Sequence, residues 1–327
     1  MRNILCVTLI ALLGGCTSTS VTEKYQDKRN DIINVKDKVI EFETGNVLIG
    51  SVSRLYMSNK CLLIADHKSV DKQIHIFNKN DFSYLTSIGN FGEGPEEITV
   101  MGCLAIDEAH HQLYVSDHAK QKIFSYDMDS VMVDSLYKPQ VKTAMNETLF
   151  PSEYQYINDT LSIAVLIKPT STSTFNQFLG RWNMNTGEMI PMKYTHPDIQ
   201  KKRITFAASE KAGIYVECYT RHDLTTICSL DGELLYNIYG PDWDGGNGNK
   251  LQSFGTVMIG NDKIFVSYCG EDYARDSFPT KILVFDLEGN YLKTLETGYK
   301  ISDCCYDSFN NRIILSLNDV VQFAYLD

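Results

Sequence analysis

One unit recurs along the chain and limits what it can fold into. A short apolar strand closes on Asn, Asp or Ser, turns through polar residues and opens a second strand. Copies stand at 75–81, 124–130, 180–187, 226–232 and 283–289. The residues closing the first strand of each copy are Asn78, Asp127, Asn183, Ser229 and Asp286, spaced by 49, 56, 46 and 57 residues. A sixth copy, at 322–327, reaches its strand where the sequence ends. A period near ~40–50 residues with several strands per repeat is the signature of a propeller, so the fold class is all-β.

The pattern divides residues 37–327 into six blades of one closed ring. Blade 1 covers about 48–89, and its four strands are predicted at 49–57, 61–65, 73–77 and 84–88. Blade 2 is predicted at 103–106, 112–115, 122–126 and 133–137. Turn residues punctuate the hairpins, as in Asn59-Lys60, Asn158-Asp159, Asn261-Asp262 and Asn310-Asn311. No apolar period of 3.6 residues and useful length follows the first segment. Blade 6 shows only three strands (301–306, 312–317, 320–325), while the alternating stretch 39–44 has no partner hairpin. An unpaired edge exposes backbone donors and acceptors. The stretch 39–44 is therefore expected to complete blade 6, antiparallel to 320–325, and to close the ring.

The first residues read as a targeting segment outside the fold. One positive charge at Arg2 precedes the apolar run 4–13, which is too short to span a bilayer as a mature helix. Leu13-Gly-Gly-Cys16 and the polar 17–20 follow. This resembles a bacterial lipobox, which implies a signal peptide at 1–15 and an acylated Cys16 carrying chains such as palmitate. Several acyl chains on one residue anchor firmly, at about 0.8 kcal/mol per buried CH₂. Residues 16–36 are polar and read as the tether between anchor and ring. The net charge of -11 and the lack of a Lys/Arg run argue against a nucleic-acid partner. Seven cysteines follow Cys16; most lie in apolar strand runs and read as buried free thiols. Cys304 and Cys305 are neighbours on a strand and point to opposite faces, so they should not bridge.

The link between blades 1 and 2 reads Gly89-Asn-Phe-Gly-Glu-Gly-Pro-Glu-Glu-Ile98. It resembles a link found in the six-bladed β-propeller lipoproteins of Bacteroidota, which are TolB-like and NHL-like. The resemblance implies a cell-envelope location, at the outer membrane, and a six-bladed ring, but no settled activity. Ile98 stands where the family pattern has an aromatic residue. The glycines read as a structural turn; no helix and no Gly-Lys-Ser/Thr follow to make a phosphate loop.

Three histidines end the second strands of their blades: His67, His118 and His222. Converging on the channel, they would hold Ca²⁺ or Zn²⁺; otherwise they are polar loop residues beside the turn-capping Asp66 and Asp117. Asp107, Glu153 and Asp303 lie near first strands. The loops 168–177, 242–249 and 270–280 are long, and Trp243, Tyr273, Arg275 and Phe278 in two of them suit recognition, as does Glu93 in the glycine link. The leading expectation is a monomeric, non-catalytic binding or scaffolding propeller without a cofactor, recognising an envelope protein, peptide or glycan on one face. The alternative is a metal-dependent hydrolase or lyase, lactonase-like, with its site at the channel mouth.

Overall fold

The second strand of a blade is apolar along its length because neighbouring blades cover both of its faces. Cys61–Asp66, Ile214–Tyr219 and Arg312–Leu317 are buried at every position. The computed structural model describes residues 22–327 except 135, 200, 201 and 248–250, and shows six antiparallel sheets, one per repeat. The expected signal peptide and Cys16 lie outside the described residues. Blade 1 is Ser53–Met57, Cys61–Asp66, Lys72–Asn78 and Tyr84–Asn90. Blades 2 to 5 begin at Met101–Asp107, Phe150–Asn158, Ile204–Ser209 and Leu251–Gly260, and blade 6 at Ile301–Asp307. These first strands line the central channel. Six hydrophobic cores among the described residues each lie between two adjacent blades, so no blade buries its apolar faces alone.

Ring closure follows the expectation from the repeat, over a shorter strand. Ile40–Glu41 pairs antiparallel with Phe323–Leu326, matching Ala324 to Glu41 and Tyr325 to Ile40. Phe42 extends the contact: its amide donates to the Phe323 carbonyl, and its buried ring stacks on Phe82 at 3.9 Å and lies 5.9 Å from Phe323. Below this stack, Lys79 of blade 1 pairs with the buried Asp307 of blade 6 at 3.3 Å, and Arg312 donates to the Lys79 carbonyl.

Residues 22–36, expected as a tether, are instead part of the ring. Glu23–Tyr25 runs parallel to Leu234–Tyr239 as a fifth strand of blade 4, and Ile32–Asn34 runs parallel to Tyr291–Glu296 on blade 5. Their polar composition reflects an edge position, where backbone pairing needs no apolar side chain facing a core. Between them, Arg29 reaches inward to Asp223 at 2.8 Å with both side chains buried, and its guanidinium lies over Phe254, Tyr268 and Phe285. Glu23 accepts from Tyr239 and Asn237.

Blade 2 also departs from expectation. The stretch 133–137 is not its fourth strand. A helix, Met128–Val133, intervenes, and Gln140–Ala144 is the outer strand. The Asp127 side chain caps that helix by accepting from the Ser130 amide at 2.8 Å, and Val131 is buried. Met128 and Met132 lie on the same side of it, against the core between blades 1 and 2.

Two outcomes test the two seams. Phe42→Ala should lower stability by about 3–5 kcal/mol through the cavity it leaves, read as an earlier midpoint in urea unfolding. Arg29→Ala should cost about 3–5 kcal/mol at neutral pH, because Asp223 is left as a buried, unpaired carboxylate. Burial pushes the Asp223 carboxyl above its ordinary value while Arg29 pulls it down. A carboxyl whose folded value is raised favours the folded state below its unfolded value and loses that contribution as pH rises. Removing Arg29 raises it further, so the deficit of the variant should shrink between neutral pH and about pH 4. A deficit that is constant with pH would contradict this role of Arg29.

Candidate functional site

Second strands end, and links between blades cross, on one face of the ring, called here the upper face. The links are pinned there by acids. Asp66 accepts from the Gly50 and Lys68 amides at 2.7 and 2.9 Å. Asp117 accepts from Thr99 and Ala119 at 2.8 and 3.0 Å. In each case the carboxylate ties its own hairpin to the chain entering the first strand, which is the turn-capping role the sequence suggested for both.

The glycine link is a structural turn. The Glu97 carboxylate accepts from the Gly94 amide at 2.8 Å and fills the space beside Gly92, where an added Cβ would fall 2.0 Å from its oxygen. Lys120 donates to the carbonyls of Gly94 and Glu97 at 2.6 and 2.5 Å. Ile98 is fully buried, and its Cδ1 would meet a Cβ at Gly89 at 3.1 Å. Glu93 is exposed on this turn.

The channel is a cavity of about 390 Å³ lined by residues of all six first strands. Its charged groups cluster among the expected Glu153 and Asp303. Arg54 of blade 1 meets Glu153 of blade 3 at 3.0 Å, with both side chains partly exposed to the channel. Asp303 of blade 6 accepts from the Leu55 amide at 2.8 Å and from the Thr256 hydroxyl at 2.6 Å. Burial pushes its carboxyl up, against the pull of Arg54. Arg54 is a site residue that the sequence reading missed. Its signal was the one charged residue in the first strand Ser53–Met57. Cys103 also lines the channel, but burial pushes its thiol up to about 11, so it is not a thiolate nucleophile at neutral pH.

The three histidines are not gathered into one ligand group. His67 lies against the Met101 carbonyl at 3.2 Å and feels the charges of Arg54 and Glu153. His118 sits edge-on to Phe150 at 6.0 Å, in space that Gly102 leaves open. His222 is buried between Tyr219 and Trp243. Burial lowers all three imidazoles from their ordinary value. Among the described residues, the grouping with metal-ligand spacing is Asp107, His110 and Asp159. It lies on the lower face, and its carboxylates already have partners: His110 Nδ1 is 2.9 Å from Asp107, and Asp159 accepts from Tyr156, outside the grouping, at 2.7 Å.

The recognition residues fare unevenly. Tyr273 and Phe278 are exposed, and Arg275 pairs with Glu271 at 3.1 Å on the same loop. Trp243 is half-buried instead of free: it packs on His196, His222 and Tyr239 and wedges the link between blades 4 and 5. Glu93 stands on the blade 1–2 link, away from this group. Sequence reading missed the partners that complete the row. The Arg221 guanidinium of blade 4 lies 3.4 Å from the centroid of Tyr273 on blade 5. Arg203, leading into blade 4, lies 4.9 Å over the exposed Phe175 of blade 3. Phe175, Arg203, Arg221 and Tyr273 thus form an aromatic and guanidinium row along the upper edge of three adjacent blades.

Residues 17–176 match the family DUF5128, described as a 6-bladed beta-propeller. No curated protein matches the chain. Among solved structures, the chain is similar to a candidate exported protein of Bacteroides fragilis, with TM-score 0.58, 13% identity and coverage of 90% of this chain and 87% of that one. It is also similar to a member of the duf4221 family from Bacteroides vulgatus, with TM-score 0.57, 12% identity and coverage of 91% and 98%. A third likeness is the Cps50 (Swd1) β-propeller domain of Myceliophteria thermophila, with TM-score 0.53, 9% identity and coverage of 86% and 98%. At these identities the likeness is one of fold, and the protein is an all-β six-bladed propeller.

The cysteine environments give a direct test. All seven described cysteines are free and buried, and burial raises the thiols of Cys218 and Cys228 to about 12. A maleimide reagent at pH 7 should therefore leave Cys61, Cys103, Cys218, Cys228, Cys269, Cys304 and Cys305 unmodified in the folded protein and label them all in denaturant. Rapid labelling of any of them in the folded state, read by mass spectrometry, would contradict the packing.

Proposed function

We propose that this is a non-catalytic recognition propeller of the bacterial cell envelope, binding a protein, peptide or glycan partner with its upper face. The observation that carries this reading is the row of Phe175, Arg203, Arg221 and Tyr273 across blades 3 to 5. Arginine and tyrosine dominate binding hot spots because they offer large contact area and directed donors at low entropic cost. Here each guanidinium is already held over a ring, an interaction worth about 0.5–1 kcal/mol at an exposed site. The pairs are thus arranged before a partner arrives, which lowers the ordering cost of binding. Phe175 and Tyr273 stand at long upper-face connections after second strands, Arg221 in a short turn after one, and Arg203 in the link into blade 4, all outside the hydrophobic cores.

The envelope location rests on the lipobox-like Leu13–Cys16 run and on a fold neighbour described as a candidate exported protein. An anchored Cys16 and an outer-membrane destination belong to the same proposal, as does kinship with TolB-like and NHL-like lipoproteins. A hydrolytic role at the channel mouth finds less support, because His67, His118 and His222 occupy separate packing environments.

Gentle solubilisation of membranes and capture of the tagged full chain should recover a partner. Arg221→Ala and Tyr273→Ala should each weaken that complex by roughly tenfold or more, the scale of an interface hot spot, with no change in melting temperature. His110→Ala, on the lower face, should leave it intact. A complex that survives both upper-face changes but is lost with His110→Ala would place recognition on the other face and overturn the reading.

A further inference from the structure

The strap formed by residues 22–38 fixes more than ring closure. It is seated first on blade 4, at Glu23–Tyr25, then on blade 5, at Ile32–Asn34, before the chain goes on to close blade 6 at Ile40–Glu41. Its seat is firm: Asn237 donates to the Thr22 carbonyl at 2.7 Å, Glu23 accepts from Tyr239, and Arg29 is buried on Asp223. Only six residues separate Cys16 from Glu23. Fully extended, such a segment reaches about 20 Å. Blade 1 stands across the ring from blade 4 and blade 2 across from blade 5. Strand spacing alone puts roughly 30 Å between the outer strands of opposite blades, before the channel is counted. A chain held at Cys16 can therefore bring the rim of blades 4 and 5 to a bilayer, but not the far rim.

The strap's outer surface suits that contact. Tyr25, Ile32 and Ile33 are exposed along it, with Tyr25 at 70%. Tyrosine is favoured at the level of lipid headgroups because its ring is apolar and its hydroxyl polar. Apart from Arg29, which is buried on Asp223, residues 22–38 carry four basic and four acidic side chains, in a chain of net charge -11. Lys28, Lys36 and Lys38 are exposed there. An anionic leaflet repels the acidic body as a whole, and this near-neutral edge adds little to that repulsion.

We infer that the propeller rides edge-on, with the strap-covered rim of blades 4 and 5 against the lipid surface and the channel axis along the membrane plane. The inference rests on the anchored Cys16 of the proposed function. Edge-on seating leaves the upper face open sideways, toward partners held in the same membrane.

The buried native thiols make single-cysteine labelling selective. The acylated full-length protein would carry a fluorophore at Ile32→Cys on blade 5 or at Val133→Cys on blade 2, reconstituted in vesicles of phosphatidylethanolamine and phosphatidylglycerol containing brominated lipid. With a tether reaching about 20 Å, quenching at position 32 should exceed that at position 133 by roughly threefold or more. Twenty Gly/Ser residues inserted between Ser20 and Val21 should remove the difference while the protein still sediments with vesicles. Equal quenching at both positions in the native tether overturns the orientation and leaves the anchor standing. A rim normally covered by a partner protein would show no quenching in these partner-free vesicles, which also overturns it. Wild-type protein that fractionates as soluble without detergent removes the anchor and the orientation together.

Discussion

Everything in this fold depends on joining the two ends of the chain. Five blades complete themselves by local hairpins, and the sixth cannot. Ile40–Glu41 supplies its outer strand, and the Phe42 ring then fills the seam between blades 6 and 1 against Phe82 and Phe323. Each hydrophobic core lies between two blades, so an open seam would expose two apolar faces at once. The buried Lys79 and Asp307 pair crosses the same seam and fixes its alignment, since a carboxylate and an ammonium taken out of water must meet each other.

Closure also sorts the molecule into surfaces with different freedoms. On the upper face, Asp66 and Asp117 hold the links so that inner strands begin at fixed heights. With the scaffold pinned, the loops of blades 3 to 5 can carry Phe175, Arg221 and Tyr273 without disturbing it. In the channel, first strands converge from all six blades, and Arg54, Glu153 and Asp303 share one polar throat. The lower face carries the hairpin turns and the helix of blade 2, and there Asp107 is bonded to His110 and Asp159 to Tyr156. The N-terminal strap divides the rim in turn. It adds parallel edge strands to blades 4 and 5 and leaves the other rims bare, so a ring of similar blades acquires a front and a back.

Six blades, a closed ring and its closing segment were legible in the sequence. The repeat of apolar strand and polar turn follows from each blade having to bury two faces, and the missing fourth strand of blade 6 left one unassigned candidate. The buried thiols were legible for the same reason. The helix Met128–Val133 was legible in principle, through the Asp127 cap and apolar residues at 128, 131 and 132, but it is only six residues long and hid inside the repeat. The strap was not. Residues 23–34 pair through their backbone on exposed edges, where no apolar alternation is required, and so they look like a polar tether.

The sequence by itself determined which strands exist and how many blades they make, because alternation and turn chemistry are local and are written in neighbouring residues. Only the tertiary structure decided which side chains meet. Arg54 and Glu153 are 99 residues apart, Arg29 and Asp223 are 194 apart, and Arg221 and Tyr273 belong to different blades. Those meetings depend on the rotation from one blade to the next and on the height at which each loop leaves its strand. Both are set by packing across the seams, and neither leaves a period in the sequence.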